Sequence, residues 1–161
     1  MRKYALIGSA IAVLLAAIAL YGSRPAGATP VKTMHLFEHD TQQANLASGD
    51  KNTGQGNEFV FAGELLDQAG GMQLGRVGGS CITVSGSVSA AGDVVCSADF
   101  TLPHGQIMTH CFVDSGALFA GKPLPLTILG GTGVYRNTHG AGIFQAQSQT
   151  DYSYVLRVTS S

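Results

Sequence analysis

Residues 93–113 read DVVCSADFTLPHGQIMTHCFV. Two runs rich in Val, Phe, Ile and Thr flank a Pro103-His104-Gly105 break, the pattern of an antiparallel hairpin. The strands are predicted over Asp93–Leu102 and Gln106–Val113, with the turn near Pro103-His104. Neighbouring strand residues face opposite ways. Cys96, Ala98 and Phe100 therefore share one face, and a symmetric hairpin sets Thr109, Cys111 and Val113 beside them.

The same pattern extends in both directions. A turn near Ser87 to Ala91 joins the hairpin to a run at Met72–Val84, which brings Cys81 into the same row, opposite Cys96. That row admits a cross-strand disulfide. It equally admits three buried thiols, which pack as small hydrophobes. Further runs occur at Lys32–His39, Glu58–Leu66, Leu124–Leu129, Gly140–Gln147 and Tyr152–Thr159, separated by Gly, Pro, Asn and Asp. No capped stripe of helical period appears after residue 30. Eight strands with short connections predict an all-β fold, an eight-stranded antiparallel β-barrel in a single domain. The one long connection, Asp40 to Asn57, is polar and reads as a loop or lid.

The chain has 161 residues, and its first 28 differ from the rest. Arg2 and Lys3 precede a mostly apolar run from Tyr4 to Leu20, and Ala26-Gly27-Ala28 follows with small residues where a signal peptidase reads. This predicts a secretory signal over residues 1–28, a barrel domain over 29–161, and a secreted, extracellular or periplasmic location. The run is short for a bilayer span, which needs about 20 residues. Beyond Ala28 there are six Lys and Arg against ten Asp and Glu, a formal charge of −4. That balance argues against nucleic acid as a partner. Three cysteines in an oxidising compartment permit one internal disulfide and leave one thiol.

Parity along the first strand singles out two acids. Met34, Leu36, Glu38 and Asp40 share a face, while Thr33, His35, Phe37 and His39 share the other. Two carboxyls one pleat apart in an apolar wall repel and desolvate each other, which raises one pKa. One then serves as a general acid while the other steadies a developing cation. The plainer reading is a pair of solvated acids at a strand end. Phe59, Phe61, Gly63 and Leu65 form a row on the second strand, and Tyr152, Tyr154, Leu156 and Val158 a row on the last. His35 and His39 lie roughly 13 Å apart along a strand, too far to share an ion, and no metal is expected. The Gly78-Gly79 and Gly130-Gly131 pairs lack the spacing of a phosphate loop and read as barrel corners.

Three segments carry a family likeness. Ile128 to Gly140, ILGGTGVYRNTHG, resembles the glycine turn, aromatic and Arg of the dirigent proteins, with His139 where they carry a second Arg. MHLFEHD, from Met34 to Asp40, resembles their first strand. LGRVGGSC, from Leu74 to Cys81, is similar to the matching strand of dirigent proteins and allene oxide cyclases. The likeness spans about Lys32 to Val158. It implies the eight-stranded barrel, cofactor-independent isomerase or cyclase chemistry, and a homotrimer. With the strand parity, it marks Glu38, Asp40 and Arg136 as catalytic candidates; the likeness adds Gly63, Cys81 and Val113 as ligand-binding, and the inward rows add Phe61, Tyr152 and Tyr154. The implied ligand is a reactive, apolar small molecule whose cyclisation or coupling is steered. Gly63 stands where the cyclases have Asn, and Val113 near their cavity tyrosine. These departures favour a non-catalytic binding barrel, and a structural protein with a self-filled interior is a third reading.

Overall fold

The computed structural model describes residues 30–86 and 92–160. The expected signal segment and the turn expected over Ser87 to Ala91 lie outside them. Eight strands follow in order: β1 (Val31–Leu46), β2 (Glu58–Leu66), β3 (Gln73–Thr83), β4 (Asp93–Leu102), β5 (Gly105–Asp114), β6 (Leu124–Gly131), β7 (Thr138–Ala146) and β8 (Asp151–Ser160). Each pairs antiparallel with the next, and β8 closes on β1 to complete a barrel. Closure leaves no free edge.

The cysteine row forms as hairpin symmetry predicts. Cys96 lies opposite Cys81 on one side and Cys111 on the other. Cys81 and Cys96 are joined as a disulfide, and Cys111 is a free thiol. The reading of three thiols is thereby corrected.

Two other expectations change. Asp40 to Asn57 is not one loop, because β1 continues to Leu46. A bulge between Asp40 and Gln42 bends the strand, and residues 42–46 go on pairing with Glu58–Ala62. The sequence hid this extension because Thr41–Leu46 is exposed throughout and shows no alternation. The chain also holds short helical pieces, α1 (Ser115–Phe119) and a 3-10 turn at Gly133–Tyr135. Asp114 caps α1 by accepting from the Ala117 amide at 2.7 Å. A helix this short has no apolar stripe to read.

Glycines permit two close backbone approaches. A Cβ on Gly63 would lie 2.4 Å from the His39 carbonyl oxygen, so β2 presses against the bulge that carries Asp40. Gly133 has φ 60°, and a Cβ there would lie 2.1 Å from the His104 carbonyl oxygen. The Gly-Gly-Thr-Gly segment thus docks on the Pro-His-Gly turn. The Thr132 amide donates to the Gln106 carbonyl at 2.9 Å, and the Val134 amide to the His104 carbonyl at 3.0 Å.

The two ends of the barrel differ. At the Val31 end the interior is filled by fully buried Leu65, Phe100, Ile107 and Leu156, with Ile128 and Val158 beside them. Each such side chain contributes on the order of 2 kcal/mol, so this plug carries much of the stability and frees the other end to stay open. Gly63→Ala is expected to cost about 1–3 kcal/mol in chemical denaturation by pushing β1 and β2 apart. Gly78→Ala, whose Cβ would meet nothing closer than 3.7 Å, is expected to unfold like the parent or slightly later.

Candidate functional site

Above the plug the barrel holds a cavity of about 940 Å³ that opens at the Leu46 end. Its rim is built from the end of β1, the start of β2, the β7–β8 turn at Gln147–Gln149 and α1. Its wall carries Phe61, Phe144, Leu126 and the row of cysteines.

Glu38 and Tyr154 form the floor. Glu38 is 0% exposed, and the Tyr154 hydroxyl donates to its Oε2 in a short hydrogen bond. Tyr154 is wedged between Phe100, edge-on at 5.0 Å between ring centroids, and Phe144, stacked at 6.1 Å. Its orientation is therefore fixed by the plug below and the cavity wall above. Asp40 is 5% exposed and receives one side-chain bond, from Gln43 Nε2 to Oδ2 at 2.8 Å. Glu38 Oε1 and Asp40 Oδ1 are buried with no partner.

Burial is the main reason that the Glu38 pKa is pushed up to about 9. The neighbouring Asp40 carboxyl adds to the rise, through a proton the two groups can share and through its charge, and the Tyr154 bond partly offsets it. Glu38 is thus a neutral carboxylic acid at pH 7. With Tyr154 donating to Oε2, Oε1 is the oxygen left to carry the acid proton, beside the Asp40 carboxyl with which it can be shared. Desolvation, with the nearby carboxyls, raises Tyr152 to about 12 and Tyr154 well above its ordinary value, so both phenols stay protonated. Cys111 is pushed up to about 11 by burial and is a thiol rather than a thiolate.

The cavity gathers Glu38, Asp40, Phe61, Cys81, Tyr152 and Tyr154 as the sequence suggested. It does not gather the other three candidates. Gly63 is buried where β2 meets the bulge and sits behind the wall. Val113 is packed in the apolar core. Arg136 is exposed and follows the 3-10 turn that leads into β7 at the far, plugged end, so it cannot pair with Glu38 or Asp40. His39, on the opposite face of β1 from Asp40, points outward and bonds Asp151 at 2.8 Å. Sequence reasoning missed Thr109, Leu126 and Phe144 of the wall and Gln43 at Asp40. Parity alone marks the first three as inward-facing. Gln43 was concealed by the bulge, which shifts its phase. No group of three metal-ligating side chains assembles among the described residues.

The neutral acid has a thermodynamic signature. Its pKa is higher folded than unfolded, so between pH 4.5 and about 9 the folded state holds a proton that the unfolded chain has released. Stability is therefore greatest below that window and falls as pH rises through it. At pH 7 the loss is at most about 3 kcal/mol. Glu38→Gln is expected to flatten this fall, so that the melting temperatures of variant and parent diverge from pH 5 to pH 8. Parallel profiles would contradict the neutral acid.

The allene oxide cyclase barrel like domain model matches residues 33–157. No curated protein sequence matches. Among solved structures, a pyocyanin demethylase is 26% identical with a TM-score of 0.66, covering 80% of this chain and 100% of that one. A nonspecific heme-binding cyclase that catalyses a 4 + 2 cycloaddition in neoabyssomicin biosynthesis is 21% identical with a TM-score of 0.67, covering 99% and 82%. A pterocarpan synthase dirigent protein is 13% identical with a TM-score of 0.65, covering 81% and 96%. The last two share the fold. With most of its length inside the family match and the same closed barrel, the chain belongs to the allene oxide cyclase barrel-like family.

Proposed function

We propose that this barrel binds a conjugated, largely apolar small molecule and steers its cyclisation, coupling or isomerisation, with Glu38 as proton donor. One observation carries the reading: a fully buried, neutral carboxyl offers its unpartnered oxygen at the floor of an open cavity. A group kept protonated at working pH is suited to general acid catalysis. The aromatic wall holds the ligand in one folded conformer and excludes water, which supplies orientation. Asp40, two residues along the same face, steadies positive charge as it develops. The relatives are named for demethylation, cycloaddition and pterocarpan synthesis, so one scaffold serves several reactions, and the site rather than the fold decides which.

A second reading, binding without turnover, is favoured by the position of Arg136. With that residue outside the cavity, the reactive set reduces to two carboxyls and two phenols. Export belongs to the proposal, and a disulfide between Cys81 and Cys96 supports it, since such bonds persist in oxidising compartments. Homotrimer formation belongs to it as well. Exposed Ile82, Phe112 and Ile143 on the outer face supply apolar surface for contact between copies.

The test is to mix the pure protein with a short-lived quinone methide or allylic epoxide and resolve product chirality. The parent is expected to bias the product. Glu38→Gln and Asp40→Asn are expected to lower that bias or the rate by about 100-fold, with the fold retained by circular dichroism. Identical products from parent and both variants would contradict the acid–base reading. Saturable binding without any product would favour the carrier reading.

A further inference from the structure

Charge around the cavity is one-sided. Three carboxyls line it, Glu38 and Asp40 at depth and Glu58 at the mouth, and no Lys, Arg or His is among the described residues lining it. A buried carboxylate without a cationic partner is costly, because its attraction to water has been given up with nothing of opposite sign in return. The single side-chain bond to Asp40 comes from a neutral amide, Gln43, and its Oδ1 has no partner. The side-chain partners of Asp40 are thus neutral, the Gln43 amide and the acid proton it can share with Glu38, and no positive side chain in the lining balances its charge. The walls facing it are the kind a flat cation favours. Phe61, Phe144 and Tyr152 line the cavity, and the negative quadrupole of an aromatic ring attracts delocalised positive charge.

We propose that the cavity selects a flat organic cation, with its positive charge set against Asp40 Oδ1 and its rings against Phe61, Phe144 and Tyr152. This rests on the reading of the cavity as a small-molecule site and adds the sign of the ligand's charge. A carboxylate or phosphate ligand is disfavoured, since it would bring a like charge to Asp40 and Glu58 with no counterion in the lining. A neutral ligand of the same shape fills the space and leaves Asp40 without a counter-charge. Glu38 complements the choice, because as a neutral acid it adds no second negative charge at the floor, and its Oε1 proton can meet an acceptor on the same ligand.

One ring system in three charge states provides the test: N-methylacridinium, acridine and acridine-9-carboxylate, titrated into the protein at pH 8 by fluorescence. The cation is expected to bind at least 10-fold more tightly than neutral acridine, and the anion more weakly than either. In Asp40→Asn the preference of cation over neutral compound is expected to shrink below about 3-fold while acridine still binds. Glu58→Gln, at the mouth, provides a second variant and is expected to reduce the preference less. Equal binding of all three compounds, or preference for the anion, would overturn the charge selection while leaving the cavity reading intact. If none of the three binds, both fail.

Discussion

The bond between Glu38 and Tyr154 joins the two halves of this barrel. Below it, apolar side chains fill the interior and hold the sheet closed. Above it, the interior is open. A carboxyl in this position stays neutral at ordinary pH, because burial and the neighbouring Asp40 carboxyl push its pKa up to about 9. The tyrosine satisfies one of its oxygens and the other is left for a visitor. Stability and reactivity therefore act in opposite directions at one residue. The floor acid weakens the fold as pH rises, and the plug beneath tolerates that cost.

The bulge in β1 serves the same arrangement. It lets the strand bend over the cavity and carry Gln43 to Asp40, and it requires a glycine opposite. Gly63 does a backbone job, since the absence of a Cβ lets β2 close on the His39 carbonyl and the bulge. The Gly-Gly-Thr-Gly segment is likewise a docking device for the neighbouring hairpin turn. Its place at the plugged end explains why Arg136, which follows it, stands apart from the chemistry.

The barrel was legible because its strands obey a period of two. Leu124, Leu126 and Ile128 turn inward while Pro125, Thr127 and Leu129 turn outward. Hairpin symmetry then aligned Cys81, Cys96 and Cys111 without error, although it could not choose which pair would oxidise. Parity also brought Glu38, Asp40, Tyr152 and Tyr154 to one interior. What parity cannot supply is height along the barrel axis. Ile107 and Thr109 both face inward on β5, but one is packed in the plug and the other lines the cavity. Arg136 was assigned by likeness of motif, and motif order says nothing about which end of the barrel a turn occupies. The extension of β1 escaped because its side chains are all exposed and so show no pattern.

The claim on which the account depends is the protonation of Glu38. Carbon-13 NMR of the side-chain carboxyls in protein labelled at glutamate, titrated from pH 4 to pH 10 and assigned through Glu38→Gln, reads it directly. One glutamate resonance is expected to stay at the neutral-acid shift until a midpoint near pH 9. A midpoint near 4.5, the ordinary value for the residue, would contradict the account.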